Sequence, residues 1–430
     1  MKGSRKRRRT SYVNNGTNRR NTPKEQKEEE EEDVEAAAAA AEAAKGRSIS
    51  ELPFPILIDI LSRVHLKSIF RCRCVCKTWL HLILSPEFAK LHLTRAPSSL
   101  LLQLSRYRLS QRKRNDVFLL DLEAADVRHR DAKFRFNPNL NSLNLRRCQL
   151  ADSCNGFLCL ADICSGNPLY ILNPLTGDYI TLPQVQKGFV LCESRFGFCP
   201  NTNQYKVVRF VHTVKAPRPD EWEIEIYTLG TASWRSTGFS QKSACPPRCD
   251  CLLNGSLHWV LYYGGGLESI CSFHIGNETF QTLPIPPLFD LCVCGGHKRS
   301  IRGLNLGVFD GYLCICGYDS KTHYGIWVMK EYGVQESWSK LFVIEISVPA
   351  RNVRLWWADY IPIKFLNDGG LLMLRNGETL VSYSFKERSF EMVRNRIPQF
   401  FEAVSHSPSF LSFKDIAMGE NLKVLNVKPR

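Results

Sequence analysis

The chain has 430 residues with 57 Lys and Arg against 42 Asp and Glu, a net charge of +15, and its length holds two or three folding units. The charge is unevenly placed: residues 1–24 carry nine basic and no acidic residues, residues 25–47 carry three basic and nine acidic, and the remainder is about +12. Such an excess favours an acidic partner, yet the cations are scattered among strand and turn patterns with no nucleic-acid motif. No stretch reaches the roughly 18 apolar residues of a membrane span, and the polar, Arg-rich start lacks the apolar core of a signal peptide. The expectation is a soluble intracellular protein whose 17 cysteines are reduced thiols. The glycosylation sequons at Asn254 and Asn277 then carry no meaning.

Residues 1–47 cannot build a core. They contain the basic run Arg5, Lys6, Arg7, Arg8 and Arg9, an acidic run from Glu28 to Asp33, and the polyalanine Ala36 to Ala41. That composition predicts a disordered or transiently helical arm. The basic run is a candidate nuclear-import signal, a function that needs only exposed positive charge, with a merely solvated arm as the alternative. The expected location is nucleus, cytoplasm or both.

Residues 48–92 read as a small all-α bundle. Apolar residues recur three and four apart from Leu52 through Ile56, Leu57, Ile60, Leu61, Val64, Ile69 and Val75 to Trp79, Leu82 and Ile83. About 40 residues seldom sustain a core alone, so the segment is expected to hold a partner. The start Leu52-Pro53, the run from Arg71 to Trp79 with its Val75-Cys76-Lys77 core, and Phe88 resemble the F-box. That resemblance implies three helices docking on the Skp-type adaptor of a cullin–RING ubiquitin ligase. Carried over by position, it implies adaptor contacts by Leu52, Pro53, Leu57, Ile60 and Leu61, with Val75 and Trp79 closing the bundle. Internal core is the alternative for each. Pro55 and His65 depart from the usual form, His65 standing where a proline is common. Pro53 and Pro55 fit because a first helical turn leaves its amides unpaired anyway.

From about Leu100 the helical period gives way to short alternating strands separated by Asn-Gly, Asp-Gly and Thr-Gly pairs, which supply the positive φ of tight hairpins. An aromatic tetrad, a polar turn and a reopening aromatic recur, ending at Tyr179, Trp234, Phe280, Trp338 and Phe390, spaced by 55, 46, 58 and 52 residues. A turn feeding an apolar strand keeps step at Asn155-Gly156, Asn254-Gly255, Asp310-Gly311 and Gly369-Gly370. A period near 50 predicts propeller blades. With a divergent first unit from Leu100 through Leu122, about six blades are expected, closed near the C-terminus; a β-sandwich is the alternative.

The stretches Asn155 to Cys159 with Tyr170 to Pro174, Phe196 to Cys199 with Tyr205 to Val208, and Asn254 to Trp259 resemble the kelch-like F-box-associated interaction domain of plant F-box proteins. The fold class is thus α+β multidomain: arm 1–47, helical bundle 48–92, β-propeller 97–410 and a C-terminal tail 411–430. The resemblance implies a non-catalytic substrate-recognition subunit with adaptor, cullin and RING partners and an unknown protein substrate. An F-box scaffold acting outside a ligase is the alternative. No membrane partner and no specific nucleic acid are expected.

No nucleophile elbow, zinc-protease His pair, kinase set or dinucleotide loop is present, and no cofactor is expected. Cys72, Cys74 and Cys76 with His81 and the pairs Cys292/Cys294 and Cys314/Cys316 have zinc as an alternative but read as small packing thiols, and Cys245, Cys249 and Cys251 with His258 read as a loop because of Pro246 and Pro247. The loop Gly295 to Arg299 lacks phosphate-loop spacing. Substrate contacts are placed on loops, with Trp222, Tyr262, Tyr263, Arg354, Trp356 and Trp357 as candidates because aromatic and Arg residues anchor interfaces.

Overall fold

A computed structural model of the protein describes residues 49, 52–96, 99–104, 117–122, 133–136, 148–184, 192–211, 222–239, 251–263, 266–287, 304–318, 323–346, 358–393, 401–416 and 424–426. The basic run Arg5 to Arg9, together with Arg354, Trp356 and Trp357, lies outside them. Two compact units emerge, Met1–Leu57 and Ile58–Arg430. Residues 58–95 therefore group with the β domain instead of standing apart from it.

Among the described residues four α-helices come first: α1 (Phe54–Ser62), α2 (Leu66–Cys72), α3 (Lys77–Ile83) and α4 (Pro86–Arg95). Each of the last three starts on a side-chain cap, which satisfies an amide the helix cannot. His65 Nδ1 accepts from Lys67 N at 3.3 Å, Cys76 Sγ from Trp79 N at 3.5 Å, and Ser85 Oγ from Phe88 N at 3.2 Å. Pro86 occupies the first turn of α4, where its missing N–H costs nothing. Cys74 lies in the turn after α2 and donates to Phe70 O at 3.6 Å. Of the triplet only Cys72 lies within a helix, and Cys74 and Cys76 are exposed, which corrects their reading as packing thiols.

Six antiparallel sheets follow. In chain order they hold β1 (Ser99–Leu104), β2 (Val117–Asp121) and β3 (Lys133–Phe136); β4 (Cys148–Cys154), β5 (Phe157–Asp162), β6 (Pro168–Leu172) and β7 (Asp178–Thr181); and β8 (Cys192–Cys199), β9 (Gln204–Val211), β10 (Glu223–Thr228) and β11 (Arg235–Phe239). Next come β12 (Cys251–Leu253), β13 (Ser256–Tyr263), β14 (Gly266–His274) and β15 (Thr279–Leu283); β16 (Asn305–Phe309), β17 (Tyr312–Tyr318), β18 (His323–Met329) and β19 (Trp338–Glu345); and β20 (Tyr360–Phe365), β21 (Leu371–Arg375), β22 (Thr379–Ser384) and β23 (Ser389–Met392). β24 (Phe401–His406) then pairs with β1, so the first blade takes its innermost strand from the far end of the chain. This strand exchange closes the ring. The domain is a six-bladed propeller, as the 50-residue period predicts.

The turns are those the dipeptides demand. Asn155 and Gly156 sit at φ +49° and +85°, Asn254 and Gly255 at +50° and +71°, Asp310 and Gly311 at +50° and +78°, the left-handed pairs of two-residue hairpins. The strands they feed are apolar because both faces of a blade are covered; every residue of β5 is buried. Neighbouring blades share cores, for example Phe210 and Ile224 with Trp259 and Phe273, or Ile326 and Ile344 with Met373 and Tyr383. Two of the repeating tryptophans tie blades together: Trp234 Nε1 donates to Pro183 O at 2.9 Å and Trp338 Nε1 to Pro284 O at 3.0 Å.

The segment read as a separate tail from residue 411 is partly built into the propeller. Leu411 and Phe413 are buried, Phe413 opens the short helix α5 (Phe413–Ile416), and its ring lies 4.7 Å from that of Phe157. Residues Leu425 and Asn426 form β25, which pairs antiparallel with the outer edge of β7.

Candidate adaptor-docking helix and substrate face

Helix α1 is apolar on nearly every side, and such a helix needs cover all round. Leu57 and Leu61, one turn apart, are each 2% exposed. Ile56 and Ile60, also one turn apart but on another side, are 47% and 42% exposed, and Phe54 is 59% exposed. This corrects two of the sequence-derived contacts: Leu57 and Leu61 are internal core. Leu52, Pro53, Ile60 and Val75 are exposed, while Trp79 is half-buried. The indole Nε1 of Trp79 is buried without a hydrogen-bond partner. Phe54 and Ile56 are the exposed apolar residues that sequence reasoning did not select. The period was visible, but with apolar residues on both sides of the helix nothing in it said which side faces out.

The last turn of α1 is held by charge. Arg95 at the end of α4 donates to Ser62 Oγ at 2.6 Å and pairs with Asp59 at 2.7 Å, and Arg63 pairs with Asp59 at 3.1 Å. Hydrogen bonds from Arg63 and then Arg95 hold the Asp59 carboxyl below the usual carboxylate range.

In an antiparallel blade, successive turns alternate between the two ends of the strands. The turns at Asn155-Gly156, Asn254-Gly255 and Asp310-Gly311 join first to second strands and define one face; the links from second to third strands and from blade to blade define the other. Ser99, which opens β1 shortly after α4 in the chain, and Asp121, its ladder partner at the end of β2, lie at the hairpin-turn face. The sequence-derived substrate stretches fall elsewhere. Residues 212–221 link β9 to β10, residues 264–265 link β13 to β14, and residues 347–357 link β19 to β20. All three connections leave from the second face.

Beside the first of them the structure corrects one candidate. Trp222 is 6% exposed and packs with Phe210, Ile224 and Trp259 in the core between the third and fourth blades, because a large aromatic beside a strand end fills the gap between blades better than it faces water. Tyr262 and Tyr263 end β13, where they pair with Leu267 and Gly266; their side chains lie outside the described residues.

Against the burial that raises it, hydrogen bonds with Thr202 and Asn201 hold the Cys199 thiol below its ordinary value. Burial pushes the Cys154 and Cys271 thiols up to about 12 and that of Cys192 to about 11, which keeps them protonated and unreactive. Cys314 and Cys316 are fully buried in strand β17. Cys292, Cys294, Cys245 and Cys249 and the Gly295 to Arg299 loop lie outside the described residues. Among the described residues no group of three His, Cys, Asp or Glu side chains is placed to hold a metal ion, and no helix is long and apolar enough to cross a membrane.

Comparison with known proteins agrees with this architecture. Residues 49–91 match the F-box domain and residues 110–363 the F-box associated beta propeller domain. F-box protein At3g07870 of Arabidopsis thaliana is 28% identical over 401 residues, 84% of this chain and 92% of its own length. F-box protein CPR1 of the same plant is 28% identical over 69% of this chain and 74% of its own. F-box/kelch-repeat protein At3g23880, also from Arabidopsis thaliana, is 26% identical over 85% and 96%. With the propeller match spanning more than half of its length behind an F-box, the chain belongs to the plant-type F-box proteins that carry an F-box-associated β-propeller.

Proposed function

We propose that this protein is the substrate-recognition subunit of a Skp–cullin–F-box ubiquitin ligase. The observation that carries the reading is the exposed apolar surface of α1, where Ile56 and Ile60 form one half-exposed side and Phe54 stands exposed at the helix start, in a chain that also holds a closed propeller. Exposed aliphatic and aromatic side chains clustered on a helix are what a partner groove takes up. The adaptor covers that side, and through it the cullin and RING subunits join. The propeller presents a bound protein from its second face, so that the lysines of that protein lie near the charged conjugating enzyme. Raised effective concentration supplies the acceleration. The chain itself makes and breaks no bonds. The run Arg5 to Arg9 serves nuclear import, placing the ligase in the nucleus as well as the cytoplasm.

The test is reconstitution of the full chain with an Skp-type adaptor, cullin and RING subunit. Co-elution of all four on gel filtration is expected, lost on Ile56→Ala with Ile60→Ala. Recovery of the adaptor without cullin would favour a scaffold outside the ligase, and recovery of neither would sink the proposal.

A further inference from the structure

The residues that follow the closing strand do more than end the ring. Phe410, four residues past β24, is 2% exposed, and its neighbours come from the helices. Its ring centroid lies 5.8 Å from Phe88 and 5.3 Å from His92, both on α4, and 6.0 Å from Phe70 on α2. Phe88 and His92 stack on each other at 5.7 Å. His92 is 2% exposed, and burial holds its imidazole down to about 4, so it sits in this nest neutral, as one more flat ring. The geometry of centroids 5 to 6 Å apart at steep angles is that of packed aromatic side chains.

The same segment is fixed on its other side to the second blade. Asn173 is fully buried, and its Nδ2 donates to Ser409 O at 2.9 Å and Leu411 O at 2.7 Å. Ser409 presses on Gly156, where a Cβ would come within 2.3 Å of the serine Cβ. His406 Nδ1 meets Ser153 Oγ at 2.8 Å. Phe410 is thus carried by backbone that is clamped before and after it. A second tie lies nearby in the fold: His65, the cap of α2, meets Asp121 at the end of β2, Nε2 to Oδ2, at 2.6 Å. Because His65 Nδ1 accepts the Lys67 amide, its proton sits on Nε2 and is donated to the carboxylate.

We infer that Phe410 is a positioning residue: it is the bolt that fixes helices α2 to α4 to the propeller, with His65 and Asp121 as the second point of a rigid joint. Two units joined by a short linker move freely unless a sizeable apolar contact stops them. Here the contact comes from the last segment of the ring rather than from the linker itself. Under the ligase reading proposed above, on which this part rests, the joint sets which lysines of a captured protein reach the conjugating enzyme.

Spin labels carried by unnatural amino acids at two exposed positions, Lys90 on α4 and Asp310 on the fifth blade, report the joint in the full chain by pulsed electron–electron distance measurement. The wild-type chain is expected to give one narrow distribution. Phe410→Ala with His65→Ala should broaden it about twofold, the behaviour of freed domains, while Phe410→Leu keeps it narrow. Circular dichroism on the same samples checks that the variants are folded, since loss of stability alone does not widen a distance measured in folded protein. A broad wild-type distribution overturns the inference even if the double variant fails to fold, and so does a folded double variant as narrow as wild type. In the reconstituted ligase, with the propeller's own lysines standing in for those of a captured protein, the ubiquitinated lysines should form a restricted set that spreads in the double variant. Narrow distances without any ubiquitination would leave the joint standing and remove the ligase reading.

Discussion

Replacing Ile56 and Ile60 together by Ala separates docking from folding. Full burial of such a side chain is worth about 1.5–3 kcal/mol, but these two already hide about half of their surface, with 47% and 42% exposed. Covering the remainder therefore contributes roughly 0.7–1.5 kcal/mol each, or about 1.5–3 kcal/mol for the pair. At about 1.4 kcal/mol per decade, the Kd for a purified Skp-type adaptor should rise roughly 10- to 100-fold. Stability should fall only modestly, because the hidden half of each isoleucine contributes roughly 0.7–1.5 kcal/mol and Ala's better helix propensity offsets part of that loss. Leu57→Ala and Leu61→Ala provide the contrast. Both side chains are 2% exposed, so each should cost about 2–5 kcal/mol of stability and weaken binding only through unfolding. Calorimetric titration and scanning calorimetry on the same variants decide it. Adaptor affinity unchanged in the isoleucine pair, or lost in Leu57→Ala with stability intact, would refute the assignment of sides on α1.

Gly156→Ala should destabilise far more than Gly311→Ala: both carry positive φ, about 1–2 kcal/mol of strain for a side chain, but only Gly156 has a Cβ position blocked, by Ser409 at 2.3 Å, while Gly311 has open space; equal losses in denaturant midpoint would contradict this. Arg209→Met should cost about 3–5 kcal/mol because it leaves Glu225 buried without its cation, and adding Glu225→Leu should restore part of the loss in a double-mutant cycle. Burial holds His92, His258 and His406 at about 4, below the ordinary 6.5, so the unfolded chain takes up protons first as pH falls. Their contribution is whole above pH about 6.5 and drains away between 6.5 and 4 at roughly 1.4 kcal/mol per pH unit for each. His92→Phe should make that slope shallower by about a third when stability is measured by urea unfolding across this range.

Local rules were readable where one residue type is required by backbone geometry. Asn155-Gly156 and its counterparts announced hairpins because few other pairs tolerate two consecutive left-handed residues, and the recurrence of those hairpins counted the blades. What the sequence hid is whatever depends on partners far along the chain. Trp222 looked like a loop anchor because Phe210 and Trp259, which enclose it, are its neighbours only once the third and fourth blades meet. Lys206 and Arg209 entered the charge count like any other cations. Both are buried in strand β9, Lys206 Nζ bonded to Ile275 O at 3.0 Å and to Glu278 at 2.9 Å, Arg209 paired with Glu225 and lying 4.1 Å from the Trp234 ring. Because each is paired with a carboxylate, their burial leaves the net charge of the domain unchanged. His65, which departs from the usual F-box form, proved to be a helix cap and a tie to Asp121, a use no pattern of neighbouring residues reveals.

The short helical segment looked too small to be self-sufficient, and the structure shows that part of what it lacks is supplied within the same chain. β24 zips onto β1 over six residue pairs from Ser99–His406 to Leu104–Phe401, and the residues immediately after it bring Phe410 among Phe70, Phe88 and His92. Closing the ring and seating α2 to α4 are therefore performed by one continuous segment, β24 and the residues just after it. Such linkage is reciprocal. A partner that grips these helices only in their seated arrangement stabilises the closed ring by the same free energy with which the closed ring favours that partner. A defect in the final strand should accordingly be felt at the helices before any residue of the helices is changed.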